Sequence, residues 1–156
     1  MAARLNAYEN PALSKVYKYF IAANQALVAS PLPTEVRHLV EIRASQINGC
    51  GFCVDMHTKD AAAAGETQQR INLVAVWRDA TVFTEAERVA LELTEAGTRL
   101  ADTAGVGEEL WAAAAAHFDE EQLGALVAAI ALINAFNRGN VLTTQPAGDY
   151  VPGQFN

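Results

Sequence analysis

Alanine fills 31 of the 156 positions and gathers in runs at 61–64 and 112–116. An alanine side chain loses no rotamer freedom in a helix, whereas strands draw on alternating β-branched and aromatic residues. Strand signals of that kind are absent, so an all-α fold is expected, a single-domain bundle of about seven helices spanning 1–156.

Capping and breaking residues divide the chain. Asn10 with Pro11 at the first helical position opens a helix over about 11–29. Leu13, Val16, Tyr17, Phe20, Ile21, Asn24 and Leu27 nearly keep its period until Ser30-Pro31-Leu32-Pro33 breaks it. Thr34 can cap a second helix, in which Val36, Leu39, Val40, Ile42, Arg43 and Ile47 lead to a stop at Asn48-Gly49. A third is expected from about Gly51 to Ala64, stopped by Gly65, and a short fourth near Thr67. Thr84 to Glu87 reads as a capping box for a fifth helix that ends before Gly97. Gly107 to His117 makes a sixth, and Asp119 caps a seventh through Phe136 or Arg138, with Glu120 and Glu121 complementing its dipole. The Gly/Pro-rich tail from Gly148 is expected to be irregular.

Charge and length exclude several functions. Eleven Lys and Arg against 18 Asp and Glu give a net charge of −7, a field that repels phosphate backbones and anionic membranes. Neither nucleic acid nor a membrane is an expected partner. The longest run without a strongly polar side chain, Leu123 to Ile133, has 11 residues where about 20 are needed to span a bilayer. Glu9, Asn10 and Pro11 interrupt any secretory signal, so a cytoplasmic, reducing location is expected.

In such a compartment the placing of the only two cysteines matters. Cys50 and Cys53 lie at the start of the third helix, whose unpaired N–H groups and positive end favour thiolates. His57 follows Cys53 by four residues, one turn along the same face, where its imidazole can serve that sulfur as acid or base. The pair therefore points to redox chemistry rather than to two packed thiols. Zinc would have only Cys50, Cys53 and His57, with Asp55 or a water to complete its shell. A thioredoxin domain would need a βαβ setting that the sequence lacks.

The run Leu39 to Glu66, LVEIRASQINGCGFCVDMHTKDAAAAGE, resembles the core of the alkylhydroperoxidase D-like proteins of the carboxymuconolactone decarboxylase family. Ile133 to Arg138, INAFNR, resembles that family's second, C-terminal signature. The resemblance implies a cofactor-free peroxidase, in which Cys53 attacks the peroxide as thiolate and becomes a sulfenic acid that Cys50 resolves as a disulfide. It also implies a hydroperoxide substrate, a dithiol or lipoyl-type reductant protein, and a homo-oligomer, a trimer or hexamer. One position departs from the pattern: the family commonly has a glutamate 12 residues before the first motif cysteine, and here that residue is His38, with Glu41 one turn on. Either His38 takes over the proton transfer, with Glu41 tuning it, or the activity is weakened or redirected.

Other polar and aromatic residues read mainly as structure. His117 is expected to cap helix six, and Trp77, Trp111, Phe118 and Phe136 to serve core or subunit contacts. Arg138 could pair with Glu41, and Ser45 and Gln46 could line the site. The leading expectation is a thiol peroxidase or thiol-disulfide reductase, and two alternatives stand beside it: a lactone decarboxylase, whose chemistry needs no cysteine pair, and a non-enzymatic redox-sensing oligomer.

Overall fold

Asn10 opens the first helix as its sequence suggests, its side chain accepting the N–H groups of Ala12 and Leu13. The computed structural model describes residues 2–102 and 104–155. Over these the regular structure is helical: α1 Pro11–Val28, α2 Thr34–Ile47, α3 Gly51–Ala63, α4 Gln68–Leu73, α5 Glu85–Thr98, α6 Glu108–His117 and α7 Glu120–Thr143. A 3₁₀ turn, Val74–Asp79, joins α4 to the loop before α5.

The second helix is the hub, packed against α3, α5 and α7. Its side chains leave on three faces, as the helical period dictates. Val36 and Val40 enter a core with Leu27, Ala90, Leu93, Phe118, Leu126 and Ile130. Leu39 and Ile42 enter a second with Ile71, Val74, Trp77, Phe83 and Leu91. His38, Glu41 and Ser45, at i, i+3 and i+7, are left on the remaining face and are all buried.

Several expected boundaries move. Pro33, not Thr34, occupies the N-cap of α2, and no side chain caps it, because Thr34 already lies within the helix. Gly97 does not stop α5. It lies inside the helix where α7 approaches, and a β-carbon there would meet Ile130 Cγ2 at 3.0 Å. The last helix continues beyond Arg138 to Thr143 and ends at Thr144 in the left-handed conformation, φ 53°. What hid that extension is its polar inner face, where Asn134, Asn137, Asn140 and Thr143 are buried in place of apolar residues.

At 24 residues α7 is long and apolar enough to cross a membrane by length and composition, which the 11-residue run did not suggest. In this fold it packs against α1, α2 and α5 through that asparagine-bearing face. Trp77 and Phe118 are core residues as expected, while Trp111 is exposed and Phe136 borders a cavity. His117 sits in the last turn of α6.

Candidate active site

The turn Asn48-Gly49 sets the cysteines. Gly49 has φ +66°, a left-handed geometry suited to glycine, and it reverses the chain from α2 into α3. Asn48 Nδ2 donates to Asn134 Oδ1 and Asn137 Oδ1, both at 2.9 Å. Asn137 Nδ2 in turn donates to Ser45 Oγ at 3.0 Å, and Ser45 Oγ to the Glu41 carbonyl at 2.6 Å. This buried ladder fastens the end of α2 to α7. Cooperative side-chain bonds of this kind hold a single geometry because any unmade member is costly.

Cys50 is the N-cap of α3, and its sulfur accepts the Cys53 N–H at 3.3 Å. The two sulfurs are joined as a disulfide, so neither cysteine is free and the three-ligand zinc set is not assembled. Among the described residues no group of three His, Cys, Asp or Glu side chains is placed to hold a metal. Both cysteines are sealed, Cys53 at 0% and Cys50 at 2% exposure, with Phe52 and Met56 packed against them. Asn140 Nδ2 reaches Cys53 Sγ at 3.4 Å from α7.

Glu41 gathers the charges. Its carboxylate accepts from Arg37 Nη1 at 3.0 Å and lies 3.3 Å from His57 Nδ1 and 3.6 Å from His38 Nδ1. Burial by itself would raise the Glu41 pKa, but His57, His38 and Arg37 together outweigh it and hold the carboxyl well below its usual range. Glu41 is thus a buried, ionised acceptor between two imidazoles. His57 turns toward it, and its Nε2 makes no hydrogen bond, so the expected contact with Cys53 is not made in this disulfide form. At 3.6 Å the His38 Nδ1 is too far for a hydrogen bond.

Beside these residues lies a cavity of about 500 Å³. Glu41, His57, His38 and Asn140 form its polar wall; Tyr8, Tyr17, Phe52, Phe136 and Phe155 supply aromatic surface. The irregular tail closes one side. Lys59 Nζ donates to the carbonyls of Gly148 and Tyr150, and Tyr150 Oη donates to Asp60 at 2.8 Å. Burial and the Asp60 carboxylate push the Tyr150 phenol up to about 12. The Phe155 ring then stacks on Tyr8 and Tyr150.

The fold therefore brings together Cys50, Cys53, His57, Glu41 and His38, all singled out from sequence. It leaves the others elsewhere. Arg138 Nη1 binds Asn134 Oδ1 at 2.8 Å instead of Glu41, and Gln46 is held by Arg43 outside the cavity wall. Ser45 is a fully buried strut between α2 and α7. Residues that sequence reasoning passed over are Arg37, Tyr17 and Asn140. Only the last had a readable signal, the recurrence of asparagine at 134, 137 and 140 on one helical face.

Comparison with known proteins bears on the family and the fold. Residues 14–96 match the model of the carboxymuconolactone decarboxylase family. The uncharacterised protein YdfG of Bacillus subtilis is 44% identical over 109 residues, 70% of this chain and 74% of that one. A crystal structure from Agrobacterium tumefaciens, of a protein of unknown function provisionally assigned to antioxidant defence as AhpD, superposes with TM-score 0.88. It is 35% identical and the match covers 96% of this chain and 100% of that one. The alkylhydroperoxidase AhpD core of an uncharacterised peroxidase-related protein from Ralstonia eutropha JMP134 shares the fold. Its TM-score is 0.76 at 21% identity, over 87% of this chain and 72% of that one.

Proposed function

The chain belongs to the carboxymuconolactone decarboxylase family and has its alkylhydroperoxidase D-like fold, and from that premise we propose that it is a thiol peroxidase working through Cys50 and Cys53. The observation that carries this reading is a disulfide closed across the start of α3, one hydrogen bond from a cavity wall that also holds a His57–Glu41 pair. A lactone decarboxylase would have no use for that cysteine pair.

In the dithiol state the Cys53 thiolate attacks the terminal oxygen of a hydroperoxide. An S–O bond forms as the O–O bond breaks, and the departing alkoxide takes a proton from His57 and leaves as the alcohol. Cys53 is then a sulfenic acid. The Cys50 sulfur displaces its oxygen, which leaves as water, and the disulfide results. A dithiol donor, free or lipoyl-borne, returns both cysteines to thiols by exchange and is itself oxidised to a disulfide. The α3 N-terminus favours the thiolate at the sulfurs, and Asn140 supplies a donor to Cys53.

Glu41 orients His57 and supports it when charged. A small shift of His38 toward Glu41, from 3.6 Å to hydrogen-bonding distance, lets it carry the proton outward, since it also borders a second cavity of about 250 Å³ lined by Glu35, Glu66, Arg70 and Glu87. In this reading the His38 departure from the family pattern extends the relay.

Thiol titration tests the proposal. Reduced protein is expected to lose two maleimide-reactive thiols on treatment with one equivalent of hydroperoxide, to release one equivalent of alcohol, and to regain both thiols with dithiothreitol. Persistence of both thiols after peroxide would remove the peroxidase reading.

A further inference from the structure

Among the described residues three buried side-chain atoms have no hydrogen-bond partner: His38 Nδ1, His57 Nε2 and Tyr17 Oη. All three residues line the 500 Å³ cavity. Orphaned polar atoms are rare in folded proteins because each forgoes its water without replacement, and they tend to mark a ligand or a functional strain. The two histidines belong to the relay above. Tyr17 does not, and it takes no part in the cysteine chemistry.

Its placement is specific. Tyr17 leaves α1 and is 3% exposed, its ring packed edge-on against Phe136 and Tyr8 and stacked near Phe20. The hydroxyl comes down on Gly139 of α7, where a β-carbon would collide with it. Gly139 is thus a cradle for that oxygen, and the next residue, Asn140, holds Cys53 Sγ. Ring contacts fix the body of the side chain and the helix backbone closes one side of the hydroxyl, so a partner for the O–H has to come from the cavity.

We propose that Tyr17 is a substrate-binding residue, whose hydroxyl donates a hydrogen bond to the oxygen that stays with the organic group when the peroxide is cleaved. The proposal rests on the peroxidase reading and adds a second donor to it. As the O–O bond breaks, negative charge collects on the alkoxide oxygen; the phenolic O–H stabilises that charge while His57 delivers the proton, and Tyr17 is chemically unchanged. Burial and the neighbouring Tyr8 raise the Tyr17 pKa, which keeps the phenol a donor across the neutral range. The organic group then lies among Phe136, Tyr8 and Phe155, so a bulky apolar hydroperoxide is favoured over hydrogen peroxide.

Tyr17→Phe tests this with little structural disturbance, because the ring contacts remain and the deleted hydroxyl has no protein partner. Three quantities are read on the full chain: thermal midpoint, kcat/KM for cumene hydroperoxide with a dithiol donor, and affinity of the disulfide form for 2-phenyl-2-propanol. The expected result is an unchanged or higher midpoint, a fall in kcat/KM of about tenfold or more, and weaker alcohol binding by about threefold to tenfold. Unchanged kcat/KM and affinity overturn the role of Tyr17 and leave the peroxidase reading standing. A fall in activity together with a lower midpoint and unaltered alcohol affinity also overturns it, in favour of a packing role. Wild-type protein that consumes no hydroperoxide overturns both.

Discussion

Replacing Glu41 by glutamine keeps the side-chain shape and removes the charge at the centre of the site. The carboxylate is 4% exposed and sits 3.0 Å from Arg37 and 3.3 Å from His57. Hydrogen bonds to charged groups contribute about 1.5–3 kcal/mol each, and Arg37, partly exposed and on the same helix, can turn outward when its partner is lost. A destabilisation of about 2–4 kcal/mol near pH 7 is expected from urea unfolding. Its pH dependence has a definite sign. The folded-state pKa is held far below the ordinary 4.5, so the stabilisation is complete above that value and is lost as the pH falls toward the folded pKa. At about 1.4 kcal/mol per unit, some 2 kcal/mol of the difference between wild type and variant should be gone by pH 3. Turnover reports separately on the relay: if Glu41 orients and supports His57, kcat/KM should fall by about 10²-fold at pH 7. A destabilised variant with wild-type kcat/KM would confine Glu41 to a structural role. A stability difference that did not narrow between pH 6 and pH 3 would refute the account of its ionisation.

Two further outcomes follow from the same structure. Glu95 accepts hydrogen bonds from Arg43, Trp77, Arg78 and Arg99, which outweigh its burial and hold its carboxyl at about 2, so its stabilisation too is lost as the pH falls from the ordinary 4.5 toward 2. After discounting for screening near the exposed Arg78, Glu95→Gln should lower unfolding stability by about 1–3 kcal/mol at neutral pH, and by little near pH 2. Tyr19 and Leu142 stand 73% and 74% exposed, as residues that meet a second copy of the chain would, and sedimentation is expected to find a trimer or a multiple of it; a lone 16.7 kDa species at micromolar concentration would count against assembly.

What could be read in advance depended on how far apart the cooperating residues lie. Cys50, Cys53 and His57 fall within two turns of one helix, where spacing alone fixes their neighbourhood. The capping box at Thr84 and Glu87 was legible for the same reason, both of its bonds being local. His38 and Glu41 could be placed on one face of α2, but spacing is silent on which residue of another helix that face meets. The expected pairing of Arg138 with Glu41 gives way to His57, which the packing of α2 on α3 brings to that carboxylate, while Asn134 holds Arg138. Gly97 and Gly139 show the limit most clearly. In sequence each resembles a helix stop, since glycine lacks the side chain that favours helix. In the fold each instead lies where another element comes close: a β-carbon on Gly97 would press on Ile130 of α7 at 3.0 Å, and one on Gly139 would collide with the Tyr17 hydroxyl of α1. A glycine that ends a helix and one that admits a neighbour have the same local signal. Only the second brings α1 near enough to α7 to set a phenol one residue from the asparagine that touches Cys53, and the contact of Tyr17 with Gly139 links residues more than 100 positions apart.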